Sequence, residues 1–134
     1  MGTPERRRMP CERQPCECPP RRRRMPRRRR NTTISLTIGG QKVHLCIGWH
    51  DDGTIGEVFA DMHKVGAFLR GMLHCFARLL SVALQYGVPI EKLIDMHKDV
   101  HFEPAGEVTG YEGIESARSI VDLVLRVVER EVRQ

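Results

Sequence analysis

The chain has 134 residues, with 22 Lys and Arg against 17 Asp and Glu, a net charge of +5 and five cysteines. That length holds one small domain, and an odd cysteine count excludes a fully paired disulfide framework. The charge is uneven: residues 1–30 carry twelve arginines against three glutamates, a balance of +9, so the remaining 104 residues carry −4.

The first thirty residues also hold six of the eight prolines and almost no aliphatic side chain. A segment with so little to bury cannot offset its ordering entropy, so residues 1–30 are predicted to be a disordered arm and residues 31–134 the folded domain. Two blocks, Arg21 to Arg24 and Arg27 to Arg30, flank Met25-Pro26. Arginine at that density releases counterions from any polyanion, which makes non-specific nucleic acid one expected partner, although the arm has no aromatic residue for base stacking. Cys11, Cys16 and Cys18 have the spacing C-x4-C-x-C, which fits no common zinc template. No apolar run is expected to span a membrane, and no hydrophobic signal-peptide core follows the basic start, so a reducing cytoplasm is the expected compartment.

In Asn31 to Ala60, Ile34, Leu36 and Ile38 alternate with polar residues, and after Gly39-Gly40 so do Val43, Leu45 and Ile47. This period of two predicts a hairpin with one buried face, and Asp51-Asp52-Gly53 turns the chain into a third strand over Ile55 to Ala60. Trp49, beside that turn, is expected in the core. The meander needs cover, and the stretch Asp61 to Pro89 supplies a long helix from about Lys64, with Asp61 as its N-cap and Gly87 and Pro89 as its stop. Arg70, His74, Arg78, Ser81 and Gln85 fall on one narrow stripe, expected to face solvent. Val65, Phe68, Leu69, Met72, Phe76, Leu79, Leu80 and Ala83 are expected to face the core, with Cys46 and Cys75 as buried thiols.

Ile90 to Met96 reads as a short helix. His97 to Gly113, broken by Pro104, Gly106, Gly110 and Gly113, reads as an irregular binding or docking loop. A closing helix is expected over Ile114 to Val132, with Ala117, Ile120, Val121, Val124, Val127 and Val128 inward and Arg118, Asp122, Arg126, Glu129 and Arg133 outward. The fold class is therefore α+β, a three-stranded antiparallel meander covered by a long central helix and a C-terminal helix.

Catalytic signals are weak. The candidates are His63, His74, His97 and His101 with Asp61, Asp95, Asp99 and Glu103; neither D-x-H at Asp61 to His63 nor D-x-H-x-D at Asp95 to Asp99 is the histidine pair of a zinc helix, and there is no phosphate loop, dinucleotide fingerprint or nucleophile elbow. No catalytic, cofactor-binding or metal-binding residue is assigned.

The order GGQKVHL, DDGTIGEVFADMHK, LQYGVPIEKLID, HFEPAGEVTG and a closing helix resembles the C-terminal, TSCPD-type domain of adenosylcobalamin-dependent class II ribonucleotide reductases, from about Arg22 to the end. The TSCPD pentapeptide itself is absent. In the complete oxidoreductases the resemblance implies adenosylcobalamin and radical chemistry on a large α/β barrel, none of which lies in this chain. It therefore implies a stand-alone domain or accessory subunit of a ribonucleoside-diphosphate reductase, inactive alone, whose partner in deoxyribonucleotide synthesis is a catalytic barrel chain or another copy of itself. Asp61, Met62, His63 and Lys64, with Phe102, Glu103, Pro104, Ala105 and Gly106, match as docking or structural signatures. The arginine blocks then read as a lead-in to the domain.

Overall fold

The computed structural model describes residues 21–134, so Cys11, Cys16, Cys18 and the first twenty residues of the expected arm lie outside the described residues. The alternating segments form β1 (Asn31–Ile38) and β2 (Gln41–Trp49), antiparallel from Asn31 opposite Gly48 to Ile38 opposite Gln41. The Gly39-Gly40 turn joins them, both residues at positive φ, a conformation that a Cβ disfavours. Gly39 has a further constraint, because a Cβ there would stand 2.6 Å from the Ala105 carbonyl oxygen. β3 (Ile55–Asp61) returns antiparallel to β2.

The meander is extended by β4 (Gly106–Thr109), which pairs with the end of β1, and β5 (Ser116–Ala117), giving the sheet order β3-β2-β1-β4-β5. The segment expected to be irregular thus contains a strand. Four residues and two are too few to show a period of two in the sequence. The helices are α1 (Ala67–Gln85), α2 (Ile90–His97) and α3 (Ile120–Val132). The fold is α+β, with Leu36, Ile38, Val43, Leu45 and Ile47 of the sheet packed in one core with Leu73, Ala77, Leu80 and Leu84 of α1 and Leu123, Val124, Val127 and Val128 of α3.

Helix α1 departs from expectation at its start and in its orientation. It begins at Ala67 behind an extended Gly66, and Asp61 ends β3 instead of capping the helix. The polar stripe turns toward β3, with Gln85 buried, Arg70, His74 and Ser81 half-buried and only Arg78 exposed as expected. β3 is an edge strand, and its outer backbone groups need partners. The Ser81 hydroxyl accepts from the Val58 N–H (2.8 Å) and reaches the Val58 carbonyl oxygen (2.9 Å), while the Gln85 amide donates to the Gly56 carbonyl oxygen (2.8 Å). A stripe of polar side chains therefore closes the sheet edge. By length and composition α1 could cross a membrane, but these side chains tie it to β3.

Turning the stripe onto β3 rotates part of the apolar arc outward. Leu80, Leu73, Ala77 and Leu84 are buried, whereas Phe68, Met72 and Leu79, expected in the core, are exposed. Cys75, expected buried, is exposed, and Cys46 is half-buried. Trp49 is buried as expected, its indole N–H donating to the Thr32 hydroxyl at 2.9 Å.

Helix α3 starts six residues later than expected, where Ser119 caps it by accepting from the Asp122 N–H at 3.0 Å. Asp122, expected to face outward, is buried between Arg118 and Arg126. Burial would raise its carboxyl, but the Arg118 amide and guanidinium and the Arg126 charge outweigh it and hold the group below the usual carboxylate range.

The last ten residues of the expected arm lie within the described residues. Residues 21–30 are anchored as a strap: the Arg23 N–H donates to the Gln85 carbonyl oxygen (2.8 Å), Arg22 Nε to Gln85 Oε1 (2.6 Å) and the Trp49 N–H to the Arg30 carbonyl oxygen (2.9 Å). Met25 packs so closely that a Cβ on Gly56 would strike its sulfur. Composition hid this because arginine guanidiniums and backbone groups, more than apolar area, make the attachment.

Candidate functional site

The two signature segments meet the same turn. His63 and Lys64 line a cavity of about 400 Å³ with Gly40 and Gln41, and Glu103, Pro104 and Ala105 line one of about 360 Å³ with Gly39, Gln41 and Leu69. The β1–β2 turn stands between them, and Leu69 places the first turn of α1 at the same end of the domain.

Within the first segment Asp61 is the anchor. Its carboxylate accepts from Arg70 Nε (2.9 Å) and Nη2 (3.1 Å), from the Met62 N–H (2.9 Å), and lies 2.9 Å from His74 Nε2. The Arg70 guanidinium, with His74 and the Met62 amide, holds Asp61 well below the usual carboxylate range against the opposing effect of burial. Met62 is fully buried. His63 and Lys64 are exposed, the His63 ring 5.1 Å from that of His44. In the second segment Pro104 is buried behind a cis peptide bond and Gly106 opens β4 at φ 113°. Phe102 is 40% exposed and its N–H donates to the Arg118 carbonyl oxygen, while Glu103 is exposed and Ala105 half-buried. Asp61, Met62, Pro104, Ala105 and Gly106 thus hold the backbone in place, and His63, Lys64, Phe102 and Glu103 present side chains to solvent.

Continuous with this end runs a surface that the sequence reading assigned to the core. Phe68, Met72, Cys75, Leu79, Val82 and Tyr86 follow one another at steps of four, three, four, three and four. That spacing makes one seam along a helix and is the repeat of helices that pack side by side. Phe68 is 81% and Leu79 72% exposed, with Met72 and Tyr86 also open. Single exposed apolar residues are ordinary; a continuous row is a candidate interaction surface. The signal was present as an apolar arc too wide for one buried face, but the direction of burial was not. Among the described residues no group of three or more His, Cys, Asp or Glu could hold a metal ion.

Comparison with known proteins gives this architecture relatives. The TSCPD domain matches residues 14–132. The chain belongs to the TSCPD domain family. It is 48% identical over 105 residues to the vitamin B12-dependent ribonucleotide reductases of Bradyrhizobium diazoefficiens and Agrobacterium fabrum, covering 78% of this chain and 8% of each relative. To the enzyme of that name from Rhodopirellula baltica it is 39% identical over 107 residues, 80% of this chain and 10% of the relative. The chain thus spans about a tenth or less of the length of these curated relatives. No solved structure matches it. No cobalamin step is assigned to these residues.

Proposed function

We propose that this TSCPD domain acts in deoxyribonucleotide synthesis as a docking domain or accessory subunit, seated on the catalytic chain of a vitamin B12-dependent ribonucleotide reductase through the seam of α1. The observation that carries this reading is the exposed row Phe68, Met72, Leu79 and Tyr86. In relatives about ten times longer the same domain has a large polypeptide available to cover that row. The His63-Lys64 and Phe102-Glu103 segments supply a polar rim at the α1 N-terminal end. Adenosylcobalamin and the radical chemistry belong to the partner.

The test is association of the purified chain with a B12-dependent reductase whose own TSCPD segment has been removed, followed by calorimetry and a turnover assay. The wild-type chain is expected to bind and to alter turnover, and to reduce no ribonucleotide alone with adenosylcobalamin and a dithiol. The double change Phe68→Ser, Leu79→Asp is expected to weaken binding by about 3 kcal/mol or more, the range of central interface anchors. Unchanged binding by that variant, or a stable dimer of this chain that does not engage the reductase, rules the reading out.

A further inference from the structure

On the other flank of α1 lies a groove that the docking reading does not use. It has a volume of about 510 Å³ and is walled by the strap, the outer face of β3 and the polar stripe. Arg22 and Arg29 enter from the strap, Arg78 and His74 from α1, and Phe59 and Asn31 from the sheet. Phe59 is 60% exposed although it sits in the middle of β3, its ring 6.1 Å from that of His74.

Two of the three guanidiniums, those of Arg22 and Arg78, keep free donors among the described residues. Arg22 uses Nε for Gln85, leaving its two terminal nitrogens free among the described residues. Arg29 is held in place, donating to the Pro26 carbonyl oxygen at 2.6 Å and making long contacts of 3.3 and 3.4 Å to Glu57, while Arg78 has no hydrogen-bond or ion-pair partner among the described residues. Counting Glu57, the groove keeps two uncompensated positive charges. Forked cations recognise phosphate oxygens in pairs. An exposed aromatic face beside them offers a stacking surface for a flat base. The volume is that of a small-molecule site and has room for one nucleotide.

We propose that this groove binds a nucleoside polyphosphate, with the phosphates held by Arg22, Arg29 and Arg78 and the base laid on Phe59. Asn31, whose amide offers both donors and an acceptor, stands where a base edge would be read. The groove and the seam share only Val82, and the residues varied on each surface are different, so loss of one leaves the other measurable.

The experiment titrates the full chain against a fluorescent ATP analogue by anisotropy, with ATP, inorganic tripolyphosphate and a twelve-residue oligodeoxynucleotide as competitors. ATP is expected to displace the probe. Tripolyphosphate, which cannot stack, is expected to need about fivefold or more higher concentration. Arg78→Glu is expected to lose about tenfold or more in affinity, and Phe59→Ser about fivefold or more, with circular dichroism and reductase association unchanged because both side chains are exposed and lie off the seam. Equal competition by tripolyphosphate and ATP would reduce the site to a charge patch and overturn the proposal. So would an Arg78→Glu chain that binds as well as wild type, or an oligonucleotide that displaces the probe at lower molar concentration than ATP.

Discussion

Gln85 shows how much one side chain can do at a strand edge. It is 6% exposed, donates to the Gly56 carbonyl oxygen and accepts from Arg22 Nε, so it joins α1, β3 and the strap. Exchange for alanine strands a buried carbonyl oxygen and is expected to cost about 1–3 kcal/mol. Leu80→Ala, one of the four buried apolar positions of α1, is expected to cost about 2–5 kcal/mol through its cavity. Denaturant melts of the two variants check both figures, and a neutral Gln85→Ala would show the polar tie to be unimportant. Asp61 adds a pH dependence. Its carboxyl is depressed in the folded state, chiefly by Arg70. Its contribution is therefore present above the unfolded value of about 3.9 and lost as pH falls through and below it. Because Arg70 is 43% exposed, solvent screening keeps the contribution near the lower end of about 1–3 kcal/mol. The stability gap between wild type and Asp61→Asn is expected to narrow once pH falls below about 5 and to go on narrowing toward the depressed folded value; a gap constant over that window would assign the loss to packing.

At the scale of elements, α1 has three faces with three tasks: Leu73, Ala77, Leu80 and Leu84 pack the core, Ser81 and Gln85 close the β3 edge, and Phe68, Met72 and Leu79 remain open. Ser81→Ala removes the partner of both Val58 backbone groups. Val58 amide hydrogen exchange is expected to accelerate, and stability to fall by about 1–3 kcal/mol; an unchanged exchange rate would mean that water caps the edge equally well. The sequence made the elements legible wherever a period was sustained: β1, β2, β3 and α1 were all readable. It could not show which way α1 was rotated, because a helix with apolar residues over most of its circumference fits a sheet in more than one orientation. The decision came from unpaired groups on β3, a need that arises only once the strands are ordered in space. Asp122 was misjudged for a related reason. A carboxylate on a polar stripe reads as solvated until Arg118 and Arg126 are seen to converge on it.

For the whole molecule, the strap makes the lead-in sequence part of the fold. The segment rich in arginine and proline reaches Gln85 through Arg22 and the Arg23 amide, Asp52 through the Arg23 side chain, Glu57 through Arg29 and the Trp49 amide through the Arg30 carbonyl. The Arg23–Asp52 pair is about half exposed on each side and adds little. The backbone bonds and the packing of Met25 over Gly56 matter more, because they cover the end of β3 and fix one wall of the cationic groove. A chain beginning at residue 31 should therefore be less stable than one beginning at residue 21 by about 2–4 kcal/mol, at roughly 1 kcal/mol for each well-formed hydrogen bond. For a domain of about a hundred residues that corresponds to a drop in Tm of about 8 °C or more. The shorter chain should also lose nucleotide binding while keeping reductase association, since Arg22 and Arg29 go with the strap and the α1 seam does not. Thermal melts and the two binding assays on the pair of chains decide the matter: coincident melts would mean that the strap is held by charge alone and leaves the core indifferent to its removal.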